Sequence, residues 1–290
     1  MQTTYQFLIP FYKEFSYLER CLESVINQTV TDWKAVVIDD QEEDNDFCRN
    51  VIGKLADNRI SLVRKKKRGS ISDSWNYALQ QAKPGLLSIF HADDELDPHY
   101  VECMLDFAIR FPESAAFFTQ AVTIDENSRR RFSCIDFAKK LIDLNYSFGR
   151  VLKLEGERGL TKILCGNLVF CPSVCYVNRE GLRLEFKPYR QVLDFDMFAS
   201  MLLDGGKIIG IPRKLIFYRR HSGNFSLQNN QSDIRFEEER NLYEELAVRS
   251  ERKGWTKAAK VARRKFIVYA HHYFTNTRSL FRIKRSSKPL

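Results

Sequence analysis

At 290 residues, with 44% hydrophobic and 13% aromatic residues, the chain is long enough to bury a sizeable core and too rich in aromatics to be disordered as a whole. The formal net charge is +9, but twelve Lys or Arg and no Asp or Glu fall between Arg252 and Leu290, leaving 34 basic against 37 acidic residues in the body. The seven cysteines form no Cys-x-x-Cys pair, and no His or Cys pair completes a zinc site around Cys171 and Cys175, so the reading is a reduced, cytoplasmic protein. Phe7-Leu8-Ile9 is too short for a signal peptide, and no apolar run approaches the roughly 18 residues of a membrane span.

In chain order, Tyr5 to Pro10 is a short apolar strand. Ser16 and Glu19 have capping-box spacing, and Leu18, Cys21, Leu22 and Val25 follow at i, i+3, i+4 and i+7, which predicts a helix to about Gln28. Trp33 to Ile38 is a second strand that ends in Asp39-Asp40. A short helix around Phe47, Val51 and Leu55 leads to a third strand at Ile60 to Val63. Trp75, Ala78, Leu79 and Ala82 stripe another helix, capped by Ser70 or Ser72. Leu86 to Phe90 is the fourth strand, and Val101, Met104, Leu105 and Ala108 stripe the helix after Asp97-Pro98, with Asp97 in the cap position. Such β-α alternation predicts a parallel sheet covered on both faces.

In a parallel sheet Pro10 to Tyr12, Asp39-Asp40 and His91 to Asp94 emerge at one edge, the edge beyond the strands' carboxyl ends where ligands bind. The run His91-Ala92-Asp93-Asp94 offers a hard divalent cation oxygen ligands beside a substrate's phosphates. Asp39 or Asp40 can accept N–H groups of a base or bond a ribose. The plainer alternatives are that Asp39 and Asp40 end a strand in a turn and that Asp93 and Asp94 are solvated acids ahead of a helix capped by Asp97. No Gly-x-Gly-x-x-Gly follows the first strand and no Walker loop is present, which speaks against dinucleotides and P-loop chemistry.

The run Leu8-Ile9-Pro10-Phe11-Tyr12-Lys13, then Ser24 to Thr29, Val36-Val37-Ile38-Asp39-Asp40 and the His-Ala-Asp-Asp stretch resemble family 2 glycosyltransferases. The resemblance resumes at Gly166-Asn167, Cys171-Pro172-Ser173-Val174, Leu193-Asp194-Phe195-Asp196, Gly206 to Pro212 and Phe217-Tyr218-Arg219-Arg220-His221. It covers roughly residues 5 to 226. It implies an α/β chain with the GT-A (Rossmann-like) fold, a mostly parallel sheet flanked by helices, here with a C-terminal helical basic extension. Residues 1–226 would be the transferase domain, its nucleotide-binding half about 1–120 and its acceptor-side half about 121–226, and 227–290 the helical tail.

The resemblance also implies an inverting transfer of a sugar from a nucleotide-diphospho-sugar, a UDP-sugar being the expected donor, to a hydroxyl of a glycan or lipid-linked acceptor. Pro10 and Tyr12 would border the base, and Asp40 would accept from a base N–H with Asp39 beside it. Asp93 matches the last acid of the family's Asp-x-Asp motif, which holds Mn²⁺ or Mg²⁺, while His91 stands where that motif has its first acid; Asp94 adjoins them. Asp194 matches the general base. His221, with Arg219 and Arg220 before it, matches a motif near the diphosphate and metal, and Asn76 matches a position on the third helix. Metal and cationic donors stabilise the charge that builds on a departing diphosphate, and a carboxylate is needed to take a hydroxyl's proton.

Several alternatives stay open from sequence. Asp194 could cap its helix and leave Asp196 as the base. His221 could be an ordinary surface histidine, Asn76 a polar surface residue, and the basic run Arg64 to Arg68 a solvated loop or a diphosphate-side contact. The stretch Asp125 to Leu160, with Phe132, Phe137, Tyr146 and Phe148, has no recognised pattern and would lie on the acceptor side. In the tail, Phe236, Tyr243, Leu246 and Ala247 stripe a helix that Gly254 stops. Trp255, Ala258, Ala262, Phe266, Tyr269 and Tyr273 then share a face that either lies on an anionic membrane, peripheral on its inner face, or packs on the domain. Nucleic acid is not the expected partner. The rival functions are a catalytically degenerate nucleotide-sugar-binding protein and a metal-dependent nucleotidyltransferase.

Overall fold

A computed structural model describes residues 5–41, 46–131, 146, 148–224 and 233–269. Strand β1 (Tyr5–Phe11) is buried almost throughout, as a strand covered on both faces must be. It pairs in parallel with β2 (Trp33–Asp39) and with β4 (Gly85–Ile89), and β3 (Ile60–Arg64) extends the parallel array beyond β2. Helices α1 (Leu18–Ile26), α2 (Phe47–Leu55) and α3 (Ile71–Gln80) are the crossovers between them.

Beyond β4 the sheet is mixed. Strand β8 (Cys175–Asn178) runs antiparallel to both β4 and β6 (Ser114–Ile124), and β6 pairs in parallel with β9 (Lys207–Arg219). Two reversals around β8 restore the direction, so β6 and β9 end on the same edge as β1, β2 and β4. The short strands β5 (Glu95–Leu96) and β7 (Leu152–Leu154) lie antiparallel against the two ends of β9, and the path reads β3-β2-β1-β4-β8-β6-β9-β5. Where β9 passes Pro212 the register skips, Thr119 facing Ile211 and Gln120 facing Lys214. The residue without an N–H thus sits in a bulge, where the ladder needs none.

One apolar cluster lies between the sheet and α1, α2 and α4 (Tyr100–Arg110). The other gathers α3, α5 (Gly156–Cys165), α6 (Leu193–Leu203), α7 (Asp233–Arg252) and α8 (Thr256–Arg264). The expected stripes are the buried ones: Leu18, Cys21, Leu22 and Val25 on α1, Trp75 and Ala78 on α3, Val101 and Met104 on α4.

Three local expectations are corrected. Helix α1 has Tyr17 as its N-cap and no side-chain cap, so Ser16 and Glu19 form no capping box; a turn closed by the Glu14 carbonyl leads in instead. Helix α4 begins at Tyr100, and Asp97 accepts the N–H of His99 at 3.0 Å, ahead of the helix. The tail stripe is not one helix, because Lys265 adopts φ +46° and ends α8. Of the two caps offered for α3, Ser70 is the one used, in a reciprocal box with Asp73.

Much of the C-terminal stripe packs on the domain. Leu242, Leu246, Ala247, Ala258 and Ala262 are wholly buried, the Tyr243 hydroxyl donates to the Leu164 carbonyl at 3.0 Å, and Glu157 on α5 accepts the first N–H groups of α8. Phe266 and Tyr269 are 77% and 59% exposed. Phe132, Phe137 and Tyr273 lie outside the described residues.

Candidate active site

The parallel register assembles one edge from distant sequence. Phe11 faces Asp39, and the Phe11 carbonyl accepts the Asp40 N–H at 2.9 Å. On the other side of β1 the Phe90 N–H reaches the Leu8 carbonyl at 2.8 Å, so the His91–Asp94 turn leaves β4 beside the end of β1. The end of β9 joins it through the Arg219 N–H, which donates to Asp94 Oδ1 at 2.8 Å.

Asp39 and Asp40 are both buried. Asp39 Oδ1 accepts from the Gln41 backbone and side chain at 3.2 and 3.0 Å. Asp40 is met by Lys65 Nζ at 3.2 Å and by the Ser74 hydroxyl. The guanidinium of Arg68 lies 4.3 Å from the centre of the half-buried Tyr12 ring, and Lys13 Nζ lies 4.8 Å from it. Two members of the Arg64 to Arg68 run therefore belong to this edge. Glu14 Oε2 accepts the Tyr12 and Lys13 N–H groups at 2.9 and 3.0 Å, and burial pushes its carboxyl up.

Around Asp93 the groups are denser. Asp93 Oδ2 is hydrogen-bonded to His221 Nε2 at 3.0 Å and accepts from Asn224 Nδ2 at 2.9 Å, while Asn224 Oδ1 takes the His221 N–H at 2.7 Å. The His221 ring packs on Tyr17, with ring centres 4.7 Å apart. Ligand atoms of His91, Asp93 and Asp94 lie within 4.8 Å of one another. His91 Nε2 and Asp94 Oδ2 are buried without a hydrogen-bond partner. Burial lowers the His91 pKa and pushes the Asp94 carboxyl well up, with the neighbouring Asp93 charge adding to the latter. A neutral imidazole beside a carboxylate, with two orphaned buried donor atoms, fits a divalent cation.

Arg219, expected at the diphosphate, belongs to the wall instead. It is wholly buried. Its Nε donates to the Asp93 carbonyl at 2.8 Å and one terminal nitrogen to the Asp125 carbonyl at 2.8 Å, while the other pairs with Glu95 and reaches the Ser128 hydroxyl at 3.1 Å. A guanidinium has five N–H donors, and a fork occupied on every side by protein acceptors cannot also hold phosphate. Arg220 is half-buried, its guanidinium 6.0 Å from the Tyr218 ring centre. Asn76 is also occupied: its amide donates to the Phe186 carbonyl and accepts the Phe186 N–H, both at 2.8 Å.

Asp194 is the second residue of α6 and half-buried, with Oδ1 accepting the Phe195 N–H at 2.8 Å. The Cys171 thiol is hydrogen-bonded to Asp194; burial pushes that thiol well up, and the charges of Asp194 and Asp94 push it further. Cys171 therefore lies within electrostatic range of both carboxylates. Asp196 is 1% exposed and faces Lys187 Nζ at 3.0 Å and Arg249 at 3.7 Å. Its carboxylate is spent inside the helical layer.

Glu14, Tyr17, Ser74, Cys171 and Asn224 join the site without having been singled out from sequence. Two of them carried a signal: Cys171 opens the family-like run Cys171-Pro172-Ser173-Val174, and Asn224 closes a turn-forming Ser-Gly-Asn directly after His221.

The sequence profile described as glycosyl transferase family 2 matches residues 7–183. The chain belongs to that family. The match takes in the ends of β1, β2 and β4 and stops short of Asp194 and His221. Among curated relatives, the uncharacterised protein MT1568 of Mycobacterium tuberculosis is 26% identical over 74% of this chain and 66% of its own length. Chondroitin synthase of Pasteurella multocida is 35% identical over 34% of this chain and 10% of its own. The crystal structure of S. aureus TarS 1-349 in complex with UDP-GlcNAc superposes with a TM-score of 0.64 at 14% identity, covering 85% of this chain and 66% of that one. At that identity the likeness establishes the GT-A fold of this glycosyl transferase family 2 chain. The chain thus spans just under two thirds of MT1568 and a tenth of the chondroitin synthase.

Proposed function

We propose that the chain transfers a sugar, with inversion, from a UDP-sugar to a hydroxyl of a glycan or lipid-linked acceptor. The observation that carries the proposal is the convergence, at one sheet edge, of the buried Asp39-Asp40 pair and the His91-Asp93-Asp94 cluster with His221, with Asp194 close enough to act, like Asp94, on Cys171. The family supports a nucleotide-sugar donor, and the TarS neighbour with its bound UDP-GlcNAc favours uridine.

In this reading Asp40, with Asp39 beside it, accepts from the base N–H, and Pro10 and Tyr12 border the base. Asp93 and His221 hold the metal, with His91 in place of a second acid; a bound Mn²⁺ or Mg²⁺ supplies Lewis acidity to the diphosphate. Arg220 lies on the diphosphate side. Asp194 takes the acceptor's proton as the glycosidic bond forms, a contribution of about 10²–10⁴ in rate. Asp196 does not take that role, because its carboxylate is already enclosed by two cations. Among the described residues no helix is long and apolar enough to cross a membrane. The exposed Phe266 and Tyr269, next to the basic run from Arg252, support reversible attachment to an anionic inner membrane face.

The test is a thermal-shift panel of UDP, GDP, dTDP and CMP, each with and without Mn²⁺, on the wild type and Asp93→Asn. Ligand at about 100 times its Kd adds about 2.7 kcal/mol, a shift of several degrees for a chain this size. UDP should give a metal-dependent shift that Asp93→Asn loses. A metal-independent shift, or none with any nucleotide, overturns the reading.

A further inference from the structure

Residues 179–192, between β8 and α6, form neither helix nor strand, yet they deliver Asp194. The sequence at the start of α6 does little to hold it there. The N-cap is Val192 and supplies no side-chain acceptor, whereas Ser, Thr, Asn or Asp would normally anchor that turn. The anchoring comes from two other layers.

From the nucleotide-binding half, Asn76 on α3 clasps both backbone polar groups of Phe186 at 2.8 Å. The buried Phe186 ring packs edge-on against Trp75, 5.0 Å between centres, and Trp75 in turn packs against His91 at 5.4 Å. From the C-terminal helix α7, Glu238 accepts the N–H groups of Arg190 and Gln191 at 2.9 and 2.8 Å. Two turns further along the same helix, Glu245 meets Lys187 Nζ at 2.5 Å and the Tyr189 hydroxyl at 3.2 Å. Lys187 also pairs with Asp196 inside α6 itself. Each of residues 186, 187, 189, 190 and 191 is thus held by a partner from α3, α6 or α7.

We infer that Asn76 and Glu238 are positioning residues for Asp194: together they brace the lead-in to α6 between the nucleotide-binding half and the C-terminal helix. The inference rests on the reading of Asp194 as the base. The physical stake is geometric, since a displacement of about 1 Å at a reacting group can cost about 10²-fold in rate. Neither residue needs to touch the substrates. Glu238 is half-exposed and its loss leaves no buried charge behind, so the fold should survive its removal.

The experiment compares wild type, Glu238→Ala, Glu238→Gln, Asn76→Ala and Asp194→Asn in full-length chain, with UDP-GlcNAc as the probe donor. Transfer and donor hydrolysis are followed, together with UDP affinity and hydrogen exchange of the amides from 186 to 198. The expected result is a kcat lowered about tenfold in Glu238→Ala and in Asn76→Ala, with UDP affinity within about twofold of wild type and faster exchange at 190 and 191 in Glu238→Ala. Glu238→Gln keeps an acceptor oxygen and should recover most of kcat. If Glu238→Ala exchanges faster yet keeps wild-type kcat, or if UDP affinity falls in step with kcat, the positioning role is overturned. Full activity in Asp194→Asn sinks the base assignment instead, and exchange at 190 and 191 still reports whether Glu238 holds the segment.

Discussion

The backbone that carries Asp40 and Asp93 is placed by the sheet itself, whereas the backbone leading to Asp194 is placed by side chains sent from other layers. The first two follow parallel strands by one and four residues, and backbone bonds to β1 fix where each chain leaves the ladder. Asp194 follows an irregular stretch whose partners, Asn76 and Glu238, lie 110 and 47 or 48 residues away from the atoms they bind. A ladder positions a group with main-chain bonds common to every sequence. Struts do so with a few replaceable side chains, so the two carboxylate sites should respond differently to mutation.

The largest expected separation is Asp194→Asn. Amide cannot accept the proton, so kcat should fall by about 10²–10⁴, while the metal-dependent UDP shift of the thermal midpoint stays. Loss of both together would place Asp194 in donor binding and erase the distinction between the two regions.

Arg219→Met comes next and reads out stability. Arg219 is 0% and Glu95 21% exposed, and the guanidinium also serves the carbonyls of Asp93 and Asp125. Removing one partner of a buried pair typically costs about 3–5 kcal/mol, and urea unfolding should show the lower end because Glu95 retains some water. Adding Glu95→Gln separates the causes: recovery of stability points to the stranded charge, and no recovery to the lost carbonyl bonds.

A smaller effect is expected from Gly210→Ala, far from both carboxylates. An added Cβ would sit 2.7 Å from a Phe118 ring carbon and 3.0 Å from Leu152 Cβ, where β7 crosses β9. Overpacking of that kind costs about 1–3 kcal/mol. UDP binding should be unchanged; weaker binding would mean that strain in the mixed half of the sheet reaches the parallel half.

The same contrast explains what could be read from sequence. Strands β1 to β4 and helices α1, α3 and α4 show as apolar runs and stripes because each buries a face determined by its own period, and acids written directly after such runs land on the carboxyl edge. By contrast β7 is three residues long, too short for a period to appear. Helix α5 opens Gly-Glu-Arg-Gly, a poor helix signal; Gly159 is there because a Cβ would lie 2.8 Å from the Leu154 backbone. No local pattern distinguishes Arg219 from Arg220, since burial of the first is decided by Glu95, Asp125 and Ser128. Asn76 could be singled out by position but not by role, because its partner Phe186 lies across the fold.

The smallest predicted effect probes the donor edge where it is least buried. Arg68 lies over the Tyr12 ring, and a cation over an exposed aromatic face contributes about 0.5–1 kcal/mol. If Arg68 only steadies Tyr12, Arg68→Ala should weaken UDP binding by about two- to fivefold, less if Lys13, 4.8 Å from the same ring centre, takes over. Titration calorimetry with UDP and Mn²⁺ measures it directly. A loss well beyond tenfold would mean that the guanidinium meets the nucleotide itself. The edge would then depend on an exposed side chain as well as on its strands, and the line between a ladder-held and a strut-held site would have to be drawn inside the donor half.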